Sequence, residues 1–553
     1  MAPKPVIIVG AGPVGLAAAL ELARFGVPSV VLEQRDSTSR HPKTRNFNTR
    51  TMEIARGWGP VVYPRLRGID TPPGWKSPIR FLDAVVGREL GRIESRGFEG
   101  PGADISPAEP VMSAQDLVEI ILRDAAIATG IVDLRFGHRV TNVVSGWRNT
   151  HDAATVAVSV PVPEEAYTLT GDALVAADGV DSLIRSALNI AMQGEQNINH
   201  FVNCQFISGI ERYVEHRTGV LFFVVNAGAA GVLQPLDARG RWLCQIAVPP
   251  ERWRRELWQA DSVRQWVRAA VGVPDLDVDV KSVGLWRMNV TVAERFTQGR
   301  VVLCGDAAHQ FPPTGGLGVN TGIQGMHNVM WKLALCCRGS AAWSLLDTYN
   351  DERRPPALET ARQSLENHRN VARLAAATYG PGANDMDTEE IIRASRRYGN
   401  HLGVEFGTAY RSTAVVGNGT QPPEVDDSYS DYSPSATPGC RAPHVWLGSP
   451  IAPVSTLDLF GAGFTVLTGP AGTPWHETAQ LAARTLKVPV ASYAIGAPGL
   501  ADYEQRFFDQ YGLSPASAVL IRPDGYVAWR SASGDPDGTP LLRAIEQVLH
   551  RQP

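Results

Sequence analysis

Apolar and polar positions along this chain follow first one period and then another, and the changes mark its parts. Val6–Val9 is an unbroken apolar run that predicts a strand. Pro13–Arg24 then carries Leu16, Leu20 and Ala23 at helical intervals, and Val30–Leu32 predicts a second strand. Residues 57–112 are rich in Gly and Pro, which predicts loops and short strands. Ser113–Ala128 places Leu117, Ile120, Ile121 and Ala125 on one helical face, with Ser113 as the expected N-cap. Strand-like segments fill 131–177 and close on Ala173–Ala177. Beyond residue 190 the pattern changes: Phe201–Ile207, Val220–Asn226, Gly231–Pro235 and Trp242–Val248 read as antiparallel strands. Arg252–Ala270 reads as an amphipathic helix lying on them.

Arg300–Cys304 returns to the character of a buried strand. From about Gly318 an amphipathic helix carries Ile323, Met326, Val329, Met330 and Leu333, and helices with polar faces are expected over 320–375. Residues 417–440 are poor in large aliphatics and rich in Pro, Ser and Asp, which predicts a linker. A last α/β unit follows: strand Phe464–Thr468, helix Thr478–Leu486, and a hairpin of Ala518–Arg522 and Tyr526–Arg530 across Pro523–Gly525. The division expected from these patterns is 1–185, 186–290, 291–410, a linker 411–442, and 443–553.

Composition narrows the class. With 553 residues, 44% hydrophobic and 20% charged, the chain is long enough for several domains around sizeable cores. A net charge of −4 disfavours nucleic acid or an acidic membrane as main partner. The six cysteines show neither CxxC nor zinc-ligand spacing, so no metal is expected and reduced core thiols of a cytoplasmic protein are. No apolar run reaches membrane-spanning length, and glycines interrupt the apolar N-terminus, which argues against a signal peptide.

Candidate chemistry sits at strand ends. Gly10, Gly12 and Gly15 form G-x-G-x-x-G between the first strand and helix, and Glu33 stands 18 positions later at the end of the second strand. Such glycines let backbone approach a pyrophosphate at a helix start, and the acid takes ribose hydroxyls. An acid here suits FAD or NAD better than NADP. Lys43, Arg45 and Arg50 lie in a polar loop, one of them expected to face phosphates. Gln115 lies in the first turn of its helix. Asp178 and Gly179 follow a strand, with Arg185 on the next helical turn. Asp306 follows Arg300–Cys304 directly. Pro312, Pro313, Gly315 and Gly316 then lead to the helix start near Gly318, whose unpaired N–H groups suit an anion such as the pyrimidine end of a reduced flavin.

GAGPVG with Glu33, AADGVDSLIR and VVLCGDAAHQFPPTGGLGVNTGIQ stand in order. Together they resemble the motifs of the group A FAD-dependent aromatic hydroxylases. RTMEIARGWG, RYVEHR, LWRMNVTVAERF and PGCRAPHVWL are most similar to the phenol and 2,4-dichlorophenol hydroxylase branch. The resemblance implies an α/β fold: a Rossmann-like FAD-binding domain, an inserted antiparallel-sheet substrate domain, and a C-terminal thioredoxin-like domain. That last domain lacks CxxC and would serve dimer or scaffold duty. For the cofactor, the resemblance implies Gly10, Gly12, Pro13 and Gly15 on the ADP half, and Glu33, Gln34 and Arg35 beside its ribose. Lys43 stands where the family usually has arginine, and Arg45 is the alternative for that contact. Gly305 and Asp306 would take the ribityl side, and Gln115 the flavin side. Pro313, Gly316, Leu317, Gly318, Val319 and Asn320 would lie at the isoalloxazine. Asp178, Gly179 and Arg185 match the motif tied to FAD and NAD(P)H use.

The implied reaction is ortho-hydroxylation of a phenol-like ring through a flavin hydroperoxide, with NADPH or NADH and O₂ as co-substrates, in a homo-oligomer. No catalytic residue is assigned by this comparison. Asn48, Trp286, Asn289 and Gln234 are the candidates for the substrate pocket, with His216 and Arg287 behind them. Rival readings keep the cofactor and change the reaction to epoxidation or Baeyer–Villiger insertion on a polyketide-like substrate, or make the chain a flavin-binding scaffold. A plain NAD(P)-dependent dehydrogenase is disfavoured, since the Asp306 loop would then have no task.

Overall fold

The computed structural model describes residues 4–161, 164–379, 385–531 and 539–551. Six strands form the first sheet, in the order Thr297–Gln298, Val301–Leu303, Leu174–Ala176, Val6–Val9, Ser29–Glu33 and Val132–Phe136. All its pairings are parallel except that of the Thr297–Gln298 edge. Its central strands are buried on both faces, which is why they read as unbroken apolar runs.

A second sheet has eight strands: His309–Gln310, Asp279–Ala293, Met192–Ile207, Arg241–Val248, Ala230–Pro235, Leu221–Val225, Ile79–Leu82 and Glu89–Ile93. Two of these come from the stretch expected to hold loops, and Ile79–Leu82 pairs in parallel with Leu221–Val225. The sheet therefore extends beyond 186–290 and is not wholly antiparallel. One face is covered by Val263, Trp266, Val267 and Val271 of the helix Ala260–Val271, packed on Phe206, Phe222 and Trp242. That helix is shorter than the pattern predicts: Pro250–Arg252 and Arg255–Leu257 are separate 3₁₀ turns, which leaves Trp253 and Trp258 outside it. On the other face Ile79, Phe81, Leu221 and Phe223 pack with Leu374, Ile392 and Tyr398.

Helix Gly318–Cys337 is buried nearly all round rather than amphipathic. It lies against the helix Pro13–Arg24 and the helices that follow it in sequence, and it meets the C-terminal unit through Trp331 on Phe464 and Asn328 on Asp524, so each side finds a neighbour. The segment 411–442 is a strap, not a free linker. Ala414, Tyr429, Ala436 and Arg441 are buried in it, and Val416 and Gly439 hydrogen-bond to Ala528 and Val527. The C-terminal unit has a four-stranded sheet in the order Val490–Ala494, Phe464–Thr468, Ala518–Ile521 and Val527–Arg530. Its helices Thr473–Leu486 and Thr539–Val548 share a hydrophobic core with the first sheet.

Buried ions hold this seam. Arg441 grips Glu53 through Nε at 3.0 Å and through Nη2, and Arg50 reaches the same carboxylate at 2.8 Å. Arg522 Nη1 bonds Glu352 at 2.6 Å, Lys332 bonds it at 2.8 Å, and Arg522 also holds Asp524. Burial alone would raise Glu53, but Arg441 and Arg50 bring it down to about 2. Burial lowers Lys332 to about 8.

Candidate functional site

Each glycine of the first turn has a different task. Gly10 has φ +102°, and a Cβ there would meet the Ala177 carbonyl oxygen at 2.3 Å. A Cβ on Gly15 would lie 1.9 Å from the Gly10 oxygen, so this glycine lets helix and turn close together. Around Gly12 nothing lies within 4 Å: its bare backbone opens on a cavity. Pro13 occupies the helix start, where its missing N–H costs nothing.

That cavity, about 1000 Å³, runs from this turn to the face of the eight-stranded sheet. Such a volume stands at the upper end of ordinary ligand sites. At one end Glu33, Gln34 and Arg35 line it. The Glu33 carboxylate accepts from Ala11 N at 2.9 Å and Arg35 Nε at 3.0 Å. Burial works against the charge, but these bonds keep Glu33 below its usual range. Asp178 accepts from Ser182 Oγ at 2.6 Å and Ile184 N at 3.1 Å, while burial raises it. Gly179 turns there with φ +84°. Arg185 donates to the Ala307 and Val180 carbonyls, tying the second motif to the Asp306 loop, and does not line the cavity.

Asp306 projects into the middle of the cavity. Its carboxylate has no hydrogen-bond partner among the described residues. Desolvation by the surrounding protein raises its pKa, although the side chain is open to the cavity, and Lys43, on the same cavity, draws it back. Arg45, the alternative cation, is held elsewhere. It donates to Gln234 Oε1 at 3.2 Å, Pro235 O at 2.8 Å and Val220 O, and burial lowers it to about 9. Its guanidinium braces the sheet and is not available to a phosphate.

Past Gly305, Pro313 and Gly316, the helix Gly318–Cys337 starts at the cavity wall with Gly318 and Val319 lining it. The first backbone bond back into the preceding turn is Thr321 N to Leu317 O at 2.8 Å, so the N–H groups of Gly318, Val319 and Asn320 have no helical acceptor. Leu317 is buried and caps the helix without lining the cavity. The Asn320 side chain is turned away into a clamp. It accepts from Asn48 N at 2.9 Å and Thr51 Oγ1 at 2.8 Å, and donates to Asn46 O and Gly316 O. Asn48 is therefore no pocket wall: its Oδ1 caps the helix Thr49–Arg56 by accepting from Thr51 N. Gln115 lines the cavity and donates to Glu119 at 2.6 Å. Its helix begins at Gln115, with Ala114 and not Ser113 as N-cap.

Across the cavity stand Gln234, Trp286, Arg287 and Asn289. Trp286 stacks on Phe201 at 4.6 Å and donates to Asn203 Oδ1 at 2.7 Å. Asn289 donates to Gln310 at 2.7 Å, and Arg287 lies over the Trp253 ring. His216 is exposed and stands outside this wall. Sequence reasoning missed Asn203, Gln245, His41 and Tyr398, which also line the cavity. The signal for two of them was present, since FVNCQFI and LCQIAV place amides where a strand's inward positions are usually apolar. Among the described residues no cluster suits a metal ion, and no helix is long and apolar enough to cross a membrane.

Known proteins share this arrangement. The FAD binding domain family matches residues 4–364, and the aromatic-ring hydroxylase C-terminal family matches residues 435–551. The chain belongs to the FAD-dependent aromatic hydroxylases, the group A flavoprotein monooxygenases. It is 34% identical to the tetracenomycin A2 monooxygenase-dioxygenase of Streptomyces glaucescens, over 99% of this chain and 97% of that one. It is 31% identical to the 2,4-dichlorophenol 6-monooxygenase of Delftia acidovorans, over 98% of each. The solved structure of the flavin-dependent monooxygenase PieE with FAD and substrate superposes with a TM-score of 0.91 at 32% identity, over 100% of both chains. The protein is an FAD-dependent aromatic monooxygenase. Its own residues fit that cofactor: an open glycine at a helix start, an unpartnered carboxylate midway, and three free amides at the far end.

Proposed function

We propose that this enzyme hydroxylates a phenol-like ring, ortho to its hydroxyl, with NAD(P)H and O₂ as co-substrates. The observation that carries the reading is the cavity itself. One wall offers backbone N–H groups and an unpaired Asp306, and the opposite wall is a sheet with Trp286 and side-chain amides. In this reading Gly10, Gly12, Pro13 and Gly15 hold the ADP half, Glu33 with Gln34 and Arg35 the ribose, and Lys43 the phosphates. Gly305 and Asp306 hold the ribityl chain. The N–H groups of Gly318, Val319 and Asn320 meet the pyrimidine edge, where a helix start favours negative charge by roughly 0.3–2 kcal/mol. Bound FAD supplies the transfer of electrons from NAD(P)H and the activation of O₂. The chain orients the substrate ring, excludes bulk water and fixes the charge around it. Asp178 and Arg185 set the loop that NAD(P)H use involves.

A second reading has support in a relative that acts on tetracenomycin A2: oxygen insertion into a larger, polyketide-like product. The volume of about 1000 Å³ accommodates either class. The sheet built around 186–290 is then the substrate-binding unit. The C-terminal unit, with strands in the order second, first, third, fourth, is a thioredoxin-like module. Residues 443–553 hold no cysteine, so the unit serves as scaffold in a cytoplasmic homo-oligomer. The test is oxygen-dependent NADPH consumption across a panel of phenols, with product mass. One phenol that accelerates consumption and gains one oxygen supports the hydroxylase. Slow consumption with no altered phenol overturns the phenol substrate and favours the larger one.

A further inference from the structure

Asn203 on strand Met192–Ile207 stands directly opposite Gln245 on Arg241–Val248. Gln234 lies on the next strand, two residues from Val232, the partner of Gln245. All three line the cavity, and Asn203 and Gln245 are 6% and 8% exposed. Adjacent strands lie about 4.8 Å apart, so the three amides border one patch.

Two of the amides are oriented by partners that can only donate. Trp286 Nε1 gives its proton to Asn203 Oδ1 at 2.7 Å, and Arg45 Nε gives one to Gln234 Oε1 at 3.2 Å. An indole N–H and a guanidinium have no lone pair to offer in return. The NH₂ groups of Asn203 and Gln234 are thereby turned elsewhere, and neither has an acceptor among the described residues. The Gln245 amide has no partner among them at all. Cavity walls with this many free donors and one free acceptor are built for an acceptor atom.

No residue of this wall is placed to act as a base. Among the described residues that line it from the sheet there is no carboxylate. His41 lies at the edge of the cavity, but Nδ1 holds Ser282 Oγ at 2.7 Å and Nε2 is sealed from solvent. The Tyr398 hydroxyl is held protonated by burial, with Arg45 opposing. Arg45 bonds the Gln234 amide directly and Arg287 lies on the strand paired with that of Asn203, both cations; Lys43, Asp306, Glu33, Glu119, Asp178 and Asp181 line the same cavity.

We propose that Asn203, Gln234 and Gln245 form an amide cradle that binds the ring oxygen of the substrate as the phenolate. Arg45 is its positioning residue, fixing the Gln234 amide and placing positive charge behind it. This rests on the hydroxylase reading and supplies what that reading lacks, a group that activates the ring. The phenol O–H bond breaks as the substrate enters, its proton passes to solvent water, and the electron pair stays on oxygen. The ionised oxygen donates into the ring and raises the electron density of the ortho carbon. Donors to the charged form lower a pKa without any base.

The test titrates FAD-loaded enzyme with 4-nitrophenol, whose phenolate absorbs in the visible, and follows the bound ligand by difference spectrum between pH 5 and 8. The apparent pKa of the bound phenol is expected to fall by about one unit or more from its free value. Gln245→Met and Asn203→Leu should return it toward that value, and Arg45→Met should do so in part. Gln245→Glu, which replaces a donor by a carboxylate, should push it above the free value, a change of sign that loss of packing does not produce. Each variant is compared at matched flavin content, and Gln234→Met replaces any that loses FAD. An unshifted wild type, a failure of 4-nitrophenol to bind, or a Gln245→Met variant with the full shift overturns the cradle. If the enzyme oxygenates a phenol that titrates as in water, the cradle fails while the hydroxylase stands. If the shift is present and no phenol gains oxygen, the cradle stands and the hydroxylase fails.

Discussion

The seam with the C-terminal unit and the ligand cavity both gather polar groups inside the molecule, and they treat them in opposite ways. In the seam, Arg441, Arg50 and Glu53, and Arg522, Lys332, Glu352 and Asp524, are bonded to one another. Asn328 donates to both Glu352 and Asp524. In the cavity, Asp306, the N–H groups of Gly318–Asn320 and the amide of Gln245 have no partner among the described residues. Satisfied ions in the seam hold the architecture, whereas unpartnered groups that open together on one cavity outline a ligand.

The comparison breaks most severely at Arg522. Arg522→Met should leave Asp524 without its cation and Glu352 with Lys332 alone, destabilising the fold by about 3–5 kcal/mol in chemical denaturation. Cofactor content of the molecules that do fold should be unchanged. Asp306→Ala should do the reverse. It removes a carboxylate with no partner among the described residues, so apoprotein stability should not fall, while FAD affinity falls about tenfold or more, as for a charged hydrogen bond worth roughly 1.5–3 kcal/mol. The protein should purify without yellow colour, and full retention of FAD would refute the role.

The first turn offers a finer contrast. Gly15→Ala must displace the Gly10 carbonyl and should cost about 1–3 kcal/mol of stability. Gly12→Ala, with nothing within 4 Å, should leave the melting temperature of the apoprotein unchanged and lower FAD retention alone.

Acid should also separate the regions. Glu53 falls from 4.5 to about 2 on folding, so its contribution is complete above the unfolded value and is lost as pH drops toward 2. The Asp306 carboxyl is raised above 3.8, so it costs stability once pH exceeds the ordinary aspartate range, and acid relieves that cost. Denaturation of the apoprotein at neutral pH and near pH 4 should therefore show Asp306→Asn gaining at neutral pH. Glu53→Gln should lose most there.

What could be read in the sequence was local. The Gly10–Gly15 turn, Glu33, Asp178 and Asp306 each lie within a few residues of the strand end that positions them, so one window reveals both motif and element. Partners distant in sequence were not legible. Ile79–Leu82 finds its neighbour at Leu221–Val225, and Gly/Pro-rich surroundings hid it. The segment 411–442 reads as a linker because its few buried side chains, Tyr429 and Arg441 among them, are anchored by residues far along the chain. Arg45 and Asn48 show the same limit at the site: residue type gave a cation and an amide, but only the sheet carbonyls and Thr51 reveal what they hold.

The Arg522–Gly525 turn has a consequence for recombination. It reaches into the other half of the molecule, where Asp524 O receives Arg50 and Arg522 neutralises Glu352. The tail is thus no interchangeable cassette. A graft from another sequence must bring an arginine to both the 441 and the 522 positions, or Glu53 and Glu352 will keep only Arg50 and Lys332 as counter-ions and lose the cation that ties each to the tail.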